Sequence, residues 1–167
     1  MHRDGILRLT RAPYGNAALT RQAQRAARKL LDAFQVRRRA HHRVLRRSAA
    51  GSSPTKWRRA CTTPGHWTIE GADTSQFENH VRAIAGLPLG STQPRGHSAM
   101  INLVGEMPTR DALLAEPGLH WHDYGKTARP GRKLGHVTIC ESAAQSRDRR
   151  AFKLLSRIDR ATWLALR

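Results

Sequence analysis

The sequence predicts an α+β fold, and four stretches carry that prediction. Alanine and leucine recur at helical spacing over residues 20–34, and an apolar face of the same period returns over 146–158. A continuous apolar run at 100–104 and the alternating residues at 137–139 are typical of strands. Helical and strand patterns therefore occur in one chain, as in a domain of mixed α and β structure.

Composition limits the classes of protein to which the chain can belong. Hydrophobic residues make up 39% of its 167 residues, which is low for a fully packed domain. The formal net charge is +18, and residues 36–64 supply half of it, with eight Arg, one Lys and no acidic residue. A balance of this kind is typical of chains that bind nucleic acid or an anionic membrane surface.

The cysteine content and the apolar pattern exclude several other classes. Two cysteines, Cys61 and Cys140, give neither a disulfide framework nor the spacing of a metal site. The sequence shows no signal peptide and no apolar run long enough to cross a bilayer, so we expect a cytoplasmic protein without membrane contact.

The first block, up to residue 34, reads as a strand followed by a helix. Residues 2–13 alternate around two apolar positions and end in a turn at 13–16. Thr20 is a candidate N-cap for the helix that follows.

Residues 36–64, here called the Arg-rich segment, follow neither a strand nor a helix period. Gly, Pro and Ser clusters interrupt the segment where a strand should follow the helix. Two interpretations stay open. The segment is either a basic arm that binds nucleic acid or protein translated in the wrong reading frame.

Regular patterns return after Gly65. Residues 66–71 suggest a short extended piece, and Ser75 with Glu78 forms a capping box for a helix that ends at Gly86. Thr109 is a candidate cap for a short helix before 117–118. A loop and strand over 124–140 and a helix from 146 complete the chain.

The loop over 124–133 concentrates positive charge around a Pro130-Gly131 turn. Its four cations are Lys126, Arg129, Arg132 and Lys133. A turn of this kind beside a strand can direct an ammonium and a guanidinium at one phosphate. The alternative is a basic loop in contact with water alone.

Longer strings identify a family. The strings GHWTIEGADTSQFENHVRAIAGLPLGST and HDYGKTARPGRKLGHVTI resemble the C-terminal part of the 5-(carboxyamino)imidazole ribonucleotide synthase family, ATP-grasp ligases of purine biosynthesis. HRDGILRLTRAP and the following helix resemble a middle portion of the ATP-grasp domain. The resemblance covers residues 2–35 and 65–158. It implies an ATP-grasp fragment at 1–35, the end of that domain at 65–89, and the small C-terminal α+β domain at 90–160.

The Arg-rich segment departs from the family and agrees with a change of frame. Codons exist that encode VRRRAHHRVLR and, read one base later, encode YVGVLTIEFF, which contains the family's VEFF-like text. Codons for PTKWRRACTTP, read two bases later, encode NEMAPRVHNS. We therefore expect residues 36–64 to be out-of-frame and disordered.

By resemblance, the parent enzyme uses ATP and Mg²⁺ to activate bicarbonate and carboxylates 5-aminoimidazole ribonucleotide. Two glutamates of the family would hold the metal, and the matching positions here are about Arg43 and Thr55-Lys56. Since cations do not ligate Mg²⁺, we expect no catalytic, ATP-binding or metal-binding residue in this chain and no activity from it alone.

The resemblance also assigns binding residues. It implies that Lys126 and Arg132 hold the 5′-phosphate of the ribonucleotide, and that His66 has a lesser role near the substrate. Arg129 and Lys133 are expected to shape or solvate the turn. His120 and His122 have a His-x-His spacing but no third ligand, so no metal is expected there. The family implies a homodimer, and nucleic-acid binding through the Arg-rich segment is the alternative function.

Overall fold

A computed structural model of the chain describes residues 1–33, 41–46, 52–58 and 61–166. Within these ranges, the strands are β1 (His2–Arg3), β2 (Ile6–Leu7), β3 (Leu9–Ala12), β4 (His41–Arg46), β5 (Ser52–Arg58), β6 (His97–Val104), β7 (Leu119–Asp123) and β8 (Lys133–Glu141). The helices are α1 (Ala17–Ala33), α2 (Thr68–Gly71), α3 (Gln76–Ile84), α4 (Arg110–Leu114), α5 (Ala144–Ile158) and α6 (Arg160–Leu164). The predicted α+β class is confirmed.

A four-stranded antiparallel sheet in the order β3-β6-β8-β7 organises the fold. Its register places Leu9, Ile101, Val137 and Trp121 in one row across the four strands. In each of the two central strands, six consecutive residues are buried. Both faces of the sheet are therefore covered, which explains why these strands lack simple alternation of apolar and polar residues.

The two faces differ in chemistry. On one face, Ile101 and Val137 pack into an apolar core with Ala151, Leu154 and Leu155 of α5. On the other face, the buried residues of β6 and β8 include polar side chains, namely Ser98, Asn102, His136 and Thr138. A segment around α2 covers this polar face. A Cβ added to Gly71 would lie 2.1 Å from the Ser98 hydroxyl.

Local sequence patterns predicted most helices and strands, but not all of the residues at which they begin and end. The Ser75 hydroxyl accepts from the Glu78 amide at 3.1 Å, so the Ser75 half of the predicted capping box is confirmed. The Glu78 carboxylate accepts from Arg82 instead. Thr20 as a cap is wrong. Helix α1 begins earlier, at Ala17, because the Asn16 side chain accepts from the Leu19 amide at 3.0 Å.

The extended conformation predicted for 66–71 is also wrong. Residues 68–71 form the short helix α2, which the Thr68 hydroxyl supports by donating to the Gly65 carbonyl at 2.6 Å. Strand β7 and helix α6 were not predicted. Strand β7 is a short edge strand with one buried residue, Leu119, and α6 begins at a cap that the Asp159 carboxylate provides to the Thr162 amide.

Residues 41–46 and 52–58 of the Arg-rich segment form a separate antiparallel pair, and the last residues of the segment, 61–64, lead into a 3-10 helix at Thr63–Gly65. Strand β4 pairs with β5, and the register sets Arg43 opposite Lys56. The rest of this segment lies outside the described residues, and its disorder stays a prediction. The division into four ranges also stays a prediction, although β3 of the first block shares a sheet with β6 of the last. None of the helices in the described ranges is long and apolar enough to cross a membrane.

Candidate functional site

The loop that joins β7 to β8 carries the predicted cations and has a defined backbone. The Tyr124 amide donates to the Leu134 carbonyl at 2.9 Å, and the Gly125 amide donates to the Asp123 carboxylate at 2.8 Å. At the far end, the Arg132 amide donates to the Arg129 carbonyl at 3.1 Å. These hydrogen bonds close the loop at both ends and fix the backbone positions from which its side chains extend.

Two ammonium groups lie close to one aromatic ring. The Nζ atoms of Lys126 and Lys133 are 5.4 and 5.1 Å from the centroid of the Tyr124 ring. Lys126 is exposed, whereas Lys133 is half-buried. Cation-π attraction helps to hold both cations at this ring.

The Tyr124 hydroxyl joins two histidines of the polar face. It lies 3.0 Å from His66 Nδ1 and 2.7 Å from His136 Nδ1. One hydroxyl proton cannot serve both nitrogens, so one imidazole accepts from Tyr124 and the other donates to it. The three side chains form a continuous hydrogen-bonded chain from β8 to the segment before α2.

The position of Lys133 indicates which groups donate and which accept in these hydrogen bonds. Its Nζ is 3.5 Å from His66 Nδ1, and an ammonium is a donor only. In the ammonium form of Lys133, His66 Nδ1 is therefore the acceptor, and His136 carries its proton on Nδ1. In this tautomer the proton of His66 lies on Nε2.

His122 and Glu70 form a second hydrogen-bonded pair behind the Tyr124 hydrogen bonds. His122 of β7 stacks on His136 with ring centroids 4.3 Å apart and an interplanar angle of 9°. Its Nε2 lies 2.6 Å from Glu70 Oε1 of α2. Gly135 permits the close approach of the strands, since a Cβ there would lie 2.2 Å from the His122 carbonyl oxygen.

Burial sets the protonation of the site. Burial, with the charge of Lys133 and the proximity of His122, lowers the pKa of His66 to about 4. Burial, His122, Lys133 and His66 lower the pKa of His136 to about 3. The pKa of Lys133 falls to about 7, because burial and then the charge of Lys126 disfavour its ammonium. At neutral pH both imidazoles are thus neutral donors and acceptors.

The two depressed histidine pKa values predict a loss of stability in acid. Between about pH 6.5 and 4 the unfolded chain binds protons that folded His66 and His136 do not, so the free energy of unfolding falls as the pH falls through this window. Urea unfolding at pH 7 and pH 5 measures this fall. His120→Gln, on an exposed residue, is the control and should keep it. A wild-type unfolding free energy equal at both pH values would contradict the prediction.

The structure brings two of the three predicted site residues to one place. His66 hydrogen bonds to Tyr124, and Lys126 lies over the ring of the same residue. Arg132 instead contacts its own loop, where its guanidinium donates to the Thr127 carbonyl at 3.4 Å. Of the histidine pair, His120 is exposed and His122 engages Glu70. Among the described residues, no group of three or more His, Cys, Asp or Glu is placed to hold a metal ion.

Sequence reasoning missed Lys133, Tyr124 and His136 as members of this cluster. Lys133 was expected to shape or solvate the turn, but the sheet half-buries it against His66. His136 immediately precedes Val137, which packs into the apolar core. Because successive strand residues point to opposite faces, alternation from Val137 could have placed His136 on the polar face.

Comparison with known proteins supports a specific family. The Phosphoribosylaminoimidazole carboxylase C-terminal domain matches residues 98–150. N5-carboxyaminoimidazole ribonucleotide synthase of Brucella melitensis is 38% identical over 141 residues, which cover 83% of this chain and 39% of that protein. A match of this length includes both sides of the Arg-rich segment.

Solved structures agree. The N5-carboxyaminoimidazole ribonucleotide synthetase of Thermus thermophilus superposes with a TM-score of 0.83 at 40% identity, over 95% of this chain and 44% of that one. The N5-carboxyaminoimidazole synthase of Aspergillus clavatus, in complex with ADP and 5-aminoimidazole ribonucleotide, gives a TM-score of 0.85 at 30% identity, over 96% and 46%. The chain thus spans less than half the length of these proteins.

Proposed function

Because this chain belongs to the N5-carboxyaminoimidazole ribonucleotide synthase family, we propose that its basic loop and histidine cluster are the ribonucleotide subsite of such an enzyme. The activity of the whole enzyme is the ATP-dependent carboxylation of 5-aminoimidazole ribonucleotide with bicarbonate in purine biosynthesis. This chain contributes binding of the ribonucleotide and does not complete the reaction alone.

One observation carries the proposal. Lys126 and Lys133 converge on Tyr124, and neither forms an ion pair with a carboxylate of the described residues. Two adjacent ammonium groups without a counter-ion repel each other, and a phosphate removes that repulsion. The Aspergillus clavatus protein, which this chain resembles, was solved with 5-aminoimidazole ribonucleotide, so a ligand with a phosphate group is a known occupant in the family.

The residues present do not fit Mg²⁺. The positions that correspond to the family's acidic ligands are Arg43 and Thr55-Lys56, and the register pairs Arg43 with Lys56 across β4 and β5. Hard cations take oxygen ligands, which Arg and Lys residues do not provide. The pairing also supports the frame-change hypothesis, since a restored frame would bring two glutamates to neighbouring positions on these strands.

The other binding partners expected for the enzyme are part of the same proposal. ATP, bicarbonate and a second copy of the chain are expected for the family, and two solved relatives were crystallised with ATP or ADP. The alternative function, nucleic-acid binding through the Arg-rich segment, has no support among the similar proteins. Any such binding would be incidental attraction between arginines and phosphates, and it would weaken steeply as salt rises.

Titration calorimetry with 5-aminoimidazole ribonucleotide tests the proposal. Lys126→Ala should weaken binding roughly 10- to 100-fold, because a charge-assisted hydrogen bond contributes about 1.5–3 kcal/mol. We expect the same of Arg132→Ala, since the family resemblance implies that Arg132 is the second phosphate ligand. Lys29→Ala, on an exposed residue of α1, is the matched control and should bind as the wild-type chain does. Unchanged dissociation constants in both loop variants would rule out the assigned phosphate site.

A further inference from the structure

Exposed apolar side chains are concentrated around helix α3. Of the eleven large apolar side chains that are exposed among the described residues, six lie on α2, on α3 and in the loop after α3. Phe77, Val81 and Ile84 recur at a spacing that places them on one side of α3, and Leu87 and Leu89 follow in the loop. These five residues are here called the α3 face. An apolar cluster of this kind marks an interaction surface, whereas single exposed apolar residues do not.

The loop that carries Leu87 and Leu89 is held against α3 by hydrogen bonds. The Asn79 side chain accepts from the Gly90 amide at 2.8 Å and donates to the Gly90 carbonyl at 3.3 Å. The Leu87 amide donates to the Arg82 carbonyl at 2.8 Å. The α3 face is therefore a preformed surface, which loses little conformational entropy when a partner binds.

The charged residues beside the α3 face neutralise each other. Arg82 Nη2 lies 2.7 Å from Glu78 Oε1, one helical turn away. The cores of protein–protein interfaces are depleted of charged residues. The chemistry of the face thus suits an apolar protein surface and does not suit an anion.

The other side of α3 is tied to the segment that carries His66. The Gln76 side chain accepts from the Thr62 amide at 3.1 Å and donates to the Thr62 carbonyl at 2.9 Å. The Gln76 amide donates to the Thr68 hydroxyl at 2.9 Å. The ring centroid of Phe77 lies 5.1 Å from that of His66. The α3 face therefore begins at the edge of the candidate site.

Charge and chain length favour one occupant of this face. The formal net charge of the chain is +18, so two copies repel each other. The chain covers only 44% of the Thermus thermophilus synthetase, and its matched domain is the C-terminal one. More than half of such an enzyme therefore lies outside the matched region. A relative was solved with ATP, and the resemblance implies that the ATP-binding residues are absent from this chain. The N-terminal half must then reach the ribonucleotide subsite, beside which the α3 face begins.

We propose that the α3 face binds the N-terminal half of an N5-carboxyaminoimidazole ribonucleotide synthase, with Val81 and Ile84 at the centre of the contact. This inference rests on the family to which the chain belongs and does not require the ribonucleotide to bind. Contact at Phe77 would also hold the His66 ring that packs against it.

Hydroxyl-radical footprinting, which measures the exposure of side chains, tests the proposal in a single polypeptide. In this fusion, the Thermus thermophilus synthetase up to the start of its match with this chain precedes Met1. Oxidation at Val81, Ile84, Leu87 and Leu89 should be several-fold slower in the fusion than in the chain by itself. Leu164 of α6 is 54% exposed and should be oxidised at the same rate in both.

Affinity between the two separate polypeptides is the second measurement. Biolayer interferometry gives the dissociation constant of the chain for the same N-terminal half. Val81→Asp and Ile84→Asp should each weaken binding roughly 10-fold or more, because residues at the centre of an interface contribute most of its binding energy. Leu164→Asp, which adds the same charge at a similarly exposed position, is the matched control and should bind as the wild-type chain does.

Two results would overturn the inference. The first is equal oxidation of the α3 face in the folded fusion and in the chain by itself. The second is a dimer of the wild-type chain in sedimentation velocity that Val81→Asp dissociates, because the occupant would then be a second copy. The fusion decides the question even if the N-terminal half does not fold alone. Since no step uses the ribonucleotide, a failure here leaves the proposed subsite standing, and a failure of that subsite leaves this inference standing.

Discussion

The purified chain should release no phosphate from ATP when it is given 5-aminoimidazole ribonucleotide, bicarbonate and Mg²⁺. The transfer of a phosphoryl group requires a metal that neutralises the phosphates, and carboxylates must hold that metal. The family resemblance implies that Arg43 and Thr55-Lys56 stand at about the corresponding positions, and Arg43 pairs with Lys56 across β4 and β5. Because guanidinium and ammonium groups offer no lone pair to a metal, we expect the loss of turnover to be complete.

A coupled assay for phosphate, with and without the ribonucleotide, measures this expectation. The Thermus thermophilus enzyme, to which the chain is 40% identical, serves as the positive control for reagents and detection. The same chain preparation must also be folded, which its circular dichroism spectrum reports. Ribonucleotide-dependent phosphate release above the level without enzyme would refute the expected inactivity.

Leu155→Ala should destabilise the described fold by about 2–5 kcal/mol. Leu155 is fully buried on α5, where it packs with Leu154 and with Ile101 and Val137 of the central sheet. Truncation removes contacts from both layers of the core and leaves a cavity. Urea denaturation followed by tryptophan fluorescence measures the change in the free energy of unfolding.

Leu164→Ala is the matched control for that variant. Leu164 belongs to the next helix, α6, and 54% of its surface is exposed. Exposed substitutions of this kind change stability by about 0.5 kcal/mol or less. If both variants lowered the unfolding free energy equally, α5 would not be packed on the sheet as described.

The sequence was most informative where one physical signal dominated. The apolar run at 100–104 and the alternation at 137–139 correctly predicted the two central strands β6 and β8. The helical spacing that led to α5 predicts Ala151, Leu154, Leu155 and Ile158 as inward residues. The first three are buried, and Ile158 is partly buried against the same core. Burial against a core strongly favours these apolar patterns, so the sequence alone predicts the elements that contain them.

Weak or competing signals explain the errors. Asn16 and Thr20 are both residue types that favour the N-cap position. The sequence alone does not show which of them accepts from the first free amide of the helix, and the structure assigns that bond to Asn16. Strand β7 has little apolar character because it forms an edge of the sheet. In the sequence of α3, Phe77, Val81 and Ile84 recur at helical spacing and so predict an inward face. These residues are 37%, 63% and 57% exposed, and the buried face carries Gln76, Asn79 and Ala83.

By itself, the sequence determined the α+β class, the central strands, the family through its long matching strings, and the cations of the 124–133 loop. These properties depend on residue type and local spacing, which are written directly in the chain. The tertiary structure alone decided that Lys133, His66, Tyr124 and His136 meet. Their contact joins residues far apart in the chain, and it depends on how β8 pairs and on what covers its polar face. The pairing of β8 and the covering of its polar face both depend on long-range packing. The basic loop therefore forms a candidate site only where the sheet places the histidines beneath it.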